Sequence, residues 1–219
     1  MVHAQDSEGN AVLTPISQLK IGDLVLAKSE WKPEGENLSY EPITDIISTP
    51  DSVQKWVHLT LADGKTIDAT EGHPFRTLEG WRDAILLKQG DMLILTGSDG
   101  KPATIQVDGI RYETKVLTTY NLEVANAHTF FVGEDAVLVH NCTPKIAQNK
   151  VRKGQGPRDI KRIDAPEESV PGSQWHAHQT KEVDGRNPAL NQDGTPHDGM
   201  PNFSNKTRKW LKEHGWNTD

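Results

Sequence analysis

The sequence contains a single cysteine, Cys142, which excludes an intrachain disulfide framework and a multi-cysteine zinc site. It also lacks a long apolar run, so it contains no candidate for a membrane-spanning helix, which needs roughly 18 such residues. Residues 1–6 lack the basic and apolar regions of a secretory signal. With 18 Gly and 13 Pro in 219 residues, the composition predicts a turn-rich globular protein rather than a disordered one.

Negative charge is concentrated in the first part of the chain. Residues 1–142 contain 11 Lys or Arg against 21 Asp or Glu, whereas residues 143–219 contain 13 against 10. This asymmetry predicts two units with different partners. The acidic first part is unsuited to nucleic acid, while the excess of three positive charges in the second part is compatible with a polyanionic partner.

Short apolar or alternating runs separated by turn residues predict an all-β first domain. Asp63-Gly64 lies between two such runs and is a hairpin signal, because both residues tolerate a positive φ. The predicted strands are 11–13, 24–26, 56–61, 66–69, 92–95, 103–107, 114–117, 119–124, 128–132 and 136–139. Many short strands at close spacing indicate one sandwich- or barrel-like domain, and no internal repeat is recognised.

The character of the sequence changes after Cys142. Residues 143–172 are rich in Lys, Arg, Gly, Pro and Gln, and they are predicted to form a basic linker with one short helix near 144–150. Residues 173–219 are predicted to form a small domain that ends in a helix, with Ser204 as its N-cap and Gly215 as its stop. The predicted fold is therefore mainly β, with a small α+β C-terminal domain.

Three short blocks of the first domain carry a family resemblance. They are Thr70-Glu71-Gly72-His73, residues 119–132, and Val139-His140-Asn141-Cys142, where the composition changes. With residues 15–25, their order and spacing resemble the Hint (hedgehog/intein) superfamily, particularly the pretoxin Hint domains of bacterial polymorphic toxins. The resemblance covers residues 2–142 and implies an all-β horseshoe fold with autoprocessing activity.

The resemblance implies that the chain cuts itself at the bond between Asn141 and Cys142. The Asn141 side-chain nitrogen would attack its own main-chain carbonyl, form a succinimide and release the amine of Cys142. His140 would assist by polarising this carbonyl or by supplying a proton to the leaving amine. His128 is a candidate general acid or base at the same junction.

Thr70 and His73 would serve an upstream junction, with Thr70 as the orienting residue and His73 as the proton donor. The Cys or Ser nucleophile that precedes this region in the family is not found before Met1-Val2-His3. Full splicing is therefore not expected of this chain. Cleavage after Asn141 remains chemically possible, although it is often slower without the first step.

A pretoxin Hint domain before a small terminal domain implies a toxin payload. The tail contains His176-x-His178, an Asn191-x-Asp193-Gly-Thr turn and a final Trp-Leu-x-x-x-Gly-Trp helix, and it is similar to a recurrent class of short toxin C-termini. Such payloads are usually enzymes, often nucleases used in bacterial competition. The larger toxin would be secreted or delivered into a target cell, where the payload acts in the cytoplasm, and a cognate immunity protein would protect the producer.

The tail histidines suit either of two nuclease chemistries. In a strand His176 and His178 point to the same face, and with His197 they could cleave RNA without a metal, as acid and base. The candidate substrate-binding residues are Lys181, Arg186, Asn191 and Lys206. Alternatively, the three histidines with Asp193 or Asp198 could hold a divalent cation for hydrolysis of DNA or RNA.

A ribonuclease without a cofactor is favoured, because no acidic cluster of the two-metal type is visible in the tail. One alternative is a metal-dependent DNase. Another is an inactive Hint scaffold that carries a non-enzymatic binding module. His214 lies on the apolar stripe of the last helix and is predicted to be structural.

Overall fold

The computed structural model describes residues 1–29, 38–97, 99–140, 144–167, 170 and 172–218, except for the side chains of Lys145 and Glu213. The chain divides into two compact units, Met1–Asn141 and Cys142–Asp219. Among these described residues, no helix has the length and apolar character needed to cross a membrane.

The described part of the first unit is built from strands and two single turns of 3-10 helix. The 3-10 turns are Ile16–Gln18 and Ala84–Leu86. The strands are β1 (Val2–Gln5), β2 (Ala11–Thr14), β3 (Leu24–Lys28), β4 (Leu38–Leu61), β5 (Thr66–Thr70), β6 (Pro74–Thr77), β7 (Gly80–Asp83), β8 (Met92–Thr96), β9 (Pro102–Val124), β10 (Thr129–Val132) and β11 (Val137–His140). This secondary-structure content confirms the predicted all-β class of the first domain.

These strands form one strongly bent antiparallel sheet. Its order is β10-β1-β3-β4-β9-β8-β11-β6-β7, with β2 paired to β1 and β5 paired to β4. An additional pairing between β10 and β11 joins two distant positions in this order. The pairing closes the sheet on itself, and it places the end of β11 next to the start of β10.

The two longest strands form a ribbon that the sequence pattern did not reveal. β4 and β9 pair from Ile43 opposite Val124 to Leu61 opposite Val107. The predicted strands 103–107, 114–117 and 119–124 are therefore parts of one strand, β9. The middle of the ribbon is exposed on both faces, so it lacks the apolar alternation that marks a half-buried strand.

Alternation is clear where the ribbon meets the core. Along β4, Val57, Leu59 and Leu61 are buried, and the residues between them are partly exposed. The Asp63-Gly64 hairpin follows directly and joins β4 to β5 as predicted, with Gly64 at φ +86°. The same core contains the fully buried rings of Phe75 and Phe130.

One turn occurs twice in the first unit. Leu-Lys-Ile-Gly-Asp at 19–23 recurs as Leu-Lys-Gln-Gly-Asp at 87–91, and each copy follows one of the 3-10 turns. In both copies the Asp carboxylate accepts a 2.9 Å hydrogen bond from the Lys backbone N–H, and the glycine has φ near +95°. The structure thus contains an internal repeat that the sequence analysis missed, because the shared signal is only five residues long.

The second unit packs two helices against a small antiparallel sheet of order β12-β13-β14-β15. Its core contains Ile163, Ala177 and Leu190 from the sheet and Leu211 and Trp216 from the C-terminal region. The elements are α1 (Pro144–Arg152), β12 (Ile160–Asp164), β13 (His176–Gln179), β14 (Ala189–Asn191), β15 (Pro196–His197) and α2 (Asn205–Glu213). The α+β character of this part agrees with the predicted fold class.

The last helix follows its sequence signals. The hydroxyl of Ser204 accepts a 3.2 Å hydrogen bond from the backbone N–H of Thr207, so Ser204 is the N-cap of α2. Gly215 follows the helix with φ +90°, a conformation that suits glycine. His214 is 3% exposed beside the Trp210 ring, as expected of a structural residue.

The segment 143–172 differs from the predicted basic linker. Helix α1 is longer than predicted, and Ala147 and Ile163 of this segment are buried in the core of the second unit. Strand β12 pairs along β13 with a register shift between Ile160 and Arg162. Strand β12 has only two apolar residues, and the residues around them are charged. The sequence pattern therefore did not predict a strand here.

Candidate functional site

The Thr70–His73 block forms a tight turn between β5 and β6. The backbone N–H of His73 donates to the carbonyl of Thr70 at 3.0 Å, and Pro74 starts the next strand. The half-buried His73 ring makes edge contacts with Phe75 and Phe130, with centroids 5.7 and 6.2 Å apart. The block therefore places an imidazole against the aromatic core.

His140 ends β11 and lies close to His73. Val139 is the strand partner of Phe75, which brings the end of β11 beside the start of β6. The His140 side chain is buried, with its ring 4.9 Å from that of Trp81 in a T-shaped contact. The structure thus brings together two of the predicted site residues from distant parts of the sequence. It adds Trp81, which no sequence signal indicated.

His128 lies at the same end of the β10–β11 pair as His140. It is half-buried, immediately precedes β10 and adopts φ +56°, an uncommon conformation for a residue other than glycine. Its neighbour Thr129 pairs with His140 across the two antiparallel strands. His128 is therefore held near the point where the chain leaves β11.

Asn141 and Cys142, the predicted nucleophile and the residue after the scissile bond, lie outside the described residues. The first described residue beyond them is Pro144. At the end of β11, where the described chain stops before this bond, the imidazoles of His128 and His140 lie on neighbouring strands, and an imidazole can exchange protons with a carbonyl or an amine.

His73 is a neutral imidazole at neutral pH. Burial, with a smaller effect from His140, lowers the pKa of His73 from 6.5 to about 4. A neutral ring can donate a hydrogen bond from its N–H or accept a proton. Donation from an imidazolium would require a pH near 4.

We expect the stability of the first unit to decrease as the pH falls from about 6.5 to about 4. In this interval the unfolded chain binds more protons than the folded one, because the pKa of His73 is lowered by folding. The full shift corresponds to roughly 3 kcal/mol of unfolding free energy. Hydrogen exchange of β6 and β11 in an Asn141→Ala chain measures the unfolding free energy at each pH. Adding His73→Gln should remove most of the decrease between pH 6.5 and 4. The same pH dependence with and without His73→Gln would contradict the lowered pKa of His73.

In the second unit, the polar candidates share one face of the sheet. His176 and His178 alternate with Ala177, which points into the core on the other face. The strand register places His178, Ala189 and His197 in one row across β13, β14 and β15. The three imidazoles meet there, since His176 lies 4.9 Å from His178 and 4.4 Å from His197 between ring centroids.

Backbone carbonyls fix the orientation of the two strand histidines. Nδ1 of His176 lies 2.9 Å from the carbonyl oxygen of Gln174, and Nδ1 of His178 lies 3.1 Å from that of Asn187. Because a carbonyl only accepts, Nδ1 carries the proton in both rings. In the neutral form of either ring, Nε2 is then the atom that accepts a proton or a hydrogen bond.

Two residues that the sequence analysis missed, Arg162 and Asp164, complete this cluster. They are the strand partners of His178 and His176 on β12. The Arg162 guanidinium donates to the Asp164 carboxylate at 2.6 Å and to Nε2 of His178 at 3.3 Å. Asp164 also lies 3.2 Å from His178 Nε2. Their spacing around Ile163 is the period of a strand, which was the available signal.

Exposure separates the members of the cluster. The side chain of His178 is only 3% exposed and that of His176 11%, whereas those of His197 and Arg162 are 44% and 50% exposed. Burial lowers the pKa of His178, and the nearby Arg162 charge acts in the same direction. A ligand on this face would meet His197, Arg162 and the edge of His176, with His178 behind them.

Only some of the predicted substrate-binding residues lie near the histidine cluster. Asn191 is the strand partner of His176 and lies on the same face, and Arg186 is 3.9 Å from the Asp198 carboxylate beside His197. Lys181 is exposed after β13. Lys206 is on α2, which packs through Leu211 against the opposite, apolar face of the sheet, so the structure does not bring Lys206 to the cluster.

The residues that could hold a metal differ from the predicted set. Ligand atoms of Asp164, His176 and His178 lie within 4.8 Å of one another, and carbonyl-oriented imidazoles are common around metals. However, Arg162 already donates to two of these groups, so a divalent cation would have to displace its guanidinium. Asp193 does not belong to this ligand group, and its carboxylate accepts hydrogen bonds from Thr195 in its own turn and from the side chain of Gln174, which precedes β13.

Solved structures resemble the first unit. The bacterial intein-like domain from Clostridium thermocellum is 28% identical, with a TM-score of 0.52, over 64% of this chain and 94% of that one. The DnaB intein from Synechocystis sp. PCC 6803 is 21% identical, with a TM-score of 0.53, over 64% and 93% of the two chains, and it shows the shared fold. No curated protein matches this chain significantly.

The match to a family is more direct. The family described as the pretoxin HINT domain matches residues 8–142, and this segment contains the Thr70–His73 turn, His128 and His140. Because the match spans more than half of the chain, the protein belongs to the pretoxin HINT domain family.

Proposed function

We propose that the first unit cuts the chain between Asn141 and Cys142 and thereby releases the C-terminal unit. The observation that carries this proposal is the family match, which ends at this junction. The boundary between the two compact units falls at the same bond, so cleavage there would separate two folded bodies.

The reaction needs only groups that the chain supplies. The side-chain nitrogen of Asn141 attacks its own main-chain carbonyl carbon, and the bond from this carbon to the nitrogen of Cys142 breaks. The products are a C-terminal succinimide and a free amine on Cys142. His140 or His128 supplies the proton that the leaving amine takes up, and the attack is favoured because both partners belong to one residue.

Intact mass spectrometry of the purified chain, kept at neutral pH, tests this cleavage. The expected result is a pair of fragments, of which the smaller begins at Cys142. A chain that keeps its full mass at all times would refute the proposal, even though the fold would stand.

We infer that the released unit is the toxin and that it is a ribonuclease. The support comes from the cluster of three imidazoles with the Arg162 guanidinium on one face of the sheet. Imidazoles can move protons near neutral pH, and an arginine can neutralise the charge of a phosphodiester. The net positive charge of residues 143–219 also favours a polyanionic substrate.

The arrangement suits cleavage of RNA through its own 2′-hydroxyl. Nε2 of His176 accepts the proton of this hydroxyl, and the 2′-oxygen attacks the phosphorus while the bond to the 5′-oxygen breaks. His197 protonates the 5′-oxygen, and Arg162 stabilises the negative charge on the phosphorus oxygens. The products are a 2′,3′-cyclic phosphate and a 5′-hydroxyl. His178 and Asp164 act behind them by positioning Arg162.

A metal-dependent DNase is the second candidate, because Asp164, His176 and His178 form a possible ligand group. The two functions respond differently to EDTA. We expect RNA cleavage by the released unit to continue at an unchanged rate in excess EDTA, with duplex DNA left intact. Loss of activity in EDTA and its recovery with a divalent cation would instead support the DNase or another metal-dependent nuclease.

Replacing Arg162 with alanine is expected to lower kcat/KM for RNA at least tenfold, because the phosphate would lose a charged donor. Arg162→Lys should recover only part of the rate, since lysine is a point charge without the planar fork that bonds Asp164 and His178 together. Steady-state cleavage of a short labelled RNA measures both effects. Full activity of the alanine variant would contradict the role of Arg162.

The family match supports a proposal for the biological setting. We propose that this chain forms part of a larger toxin that is secreted or delivered into a competing bacterium, where the released unit acts on RNA in the cytoplasm. A cognate immunity protein would bind this unit in the producing cell. Co-expression of the toxin unit with its genomic neighbour, scored by cell survival, tests both statements.

A further inference from the structure

A cleft opens beside the histidine cluster in the second unit. It has a volume of about 490 Å³, which falls in the range of small-molecule sites. Two segments line it, the loop that contains Val183, Asp184, Arg186 and Pro188, and the stretch from Asp198 to Met200.

Both walls of the cleft adjoin the cluster along the chain, and the Asp198 carboxylate of one wall lies 3.7 Å from Nε2 of His197. On one side Asp198 directly follows His197, whose ring packs on His176. On the other side Pro188 directly follows Asn187, whose carbonyl oxygen orients His178. A phosphodiester held by the cluster would therefore place one of its flanking nucleosides at the mouth of the cleft.

The side chains of the cleft suit a flat, polar-edged ligand. Val183 and Met200 are 48% and 60% exposed, so they offer apolar surface to the face of a ring. The Asp198 carboxylate lies 3.9 Å from the Arg186 guanidinium and 3.7 Å from Nε2 of His197, and both distances are longer than a hydrogen bond. The side chains of Arg186 and Asp198 are substantially exposed. A planar group of donors and an acceptor carboxylate are therefore both available to a ligand.

We propose that this cleft binds a guanine base of the RNA substrate and makes the enzyme guanine-specific. Guanine presents two adjacent donors, N1–H and the 2-amino group, which one carboxylate can accept together. It also presents the O6 and N7 acceptors, which an arginine can contact with two hydrogen bonds. Adenine and the pyrimidines lack this combination. Single-stranded RNA exposes these base edges, whereas pairing conceals them.

The proposal rests on the ribonuclease function, but nucleotide binding tests it without catalysis. Isothermal titration of the Asn141→Ala chain with the four ribonucleoside 3′-monophosphates should give at least tenfold tighter binding of the guanosine nucleotide. Asp198→Asn should remove this preference. Asparagine also tolerates the positive φ of this position, +54°, so the variant keeps the local backbone.

Glu182→Gln is the matched control, because it removes an exposed carboxylate from the same loop outside the cleft lining and should leave the preference unchanged. Equal affinities for the four nucleotides, absence of binding, or a preference that survives in Asp198→Asn would each overturn the guanine site. If the chain binds the guanosine nucleotide but leaves RNA intact, the guanine site is supported and the ribonuclease function is refuted. If the chain cleaves RNA without base preference, the ribonuclease function is supported and the guanine site is refuted.

Discussion

Replacing Asn141 with alanine is expected to abolish the release of the C-terminal unit completely. Alanine has no side-chain nitrogen, so the succinimide cannot form and the bond to Cys142 stays intact. The change removes the nucleophile itself, and a proton-transfer partner cannot compensate for its loss. Intact mass spectrometry over several days at neutral pH should show the full-length chain alone.

Two further variants define this result. Asn149→Ala removes an exposed asparagine from α1 and should cleave like the unmodified chain. His140→Gln should slow cleavage by roughly 10²–10⁴-fold, the usual contribution of a general acid or base, without abolishing it. Fragments from Asn141→Ala would show that another residue or a contaminating protease cuts the chain.

Replacing His197 with alanine is expected to lower kcat/KM for RNA by about 10²–10⁴-fold, because the leaving 5′-oxygen loses its proton donor. The His197 side chain is 44% exposed, so its removal should change the free energy of unfolding by less than about 0.5 kcal/mol. A large loss of activity with an unchanged thermal midpoint would therefore report on chemistry. Full activity would exclude His197 from the reaction.

Lys206→Ala is the informative comparison for this variant. The sequence suggested Lys206 as a substrate-binding residue, but its helix packs on the apolar face of the sheet, opposite the histidines. We therefore expect the variant to cleave RNA at the normal rate. His178→Ala is a poorer test, since this ring is buried and its removal would also lower stability.

The sequence by itself determined those features that depend on neighbouring residues. The two-residue period placed His176 and His178 on one face of a strand, and Asp63-Gly64 determined a hairpin. Ser204 determined the start of the last helix. In each case the residues that carry the signal are close in sequence to the structure that they determine. Local backbone geometry then allows few other conformations.

Other features depended on tertiary structure. His73 meets His140 because β6 pairs with β11, and Arg162 and Asp164 reach the histidines because β12 pairs with β13. Periodicity shows that a segment is extended, but it does not specify which strand becomes its partner or in which register. Those choices follow from packing of the whole core, so the predicted linker became an edge strand that contributes charge to the site.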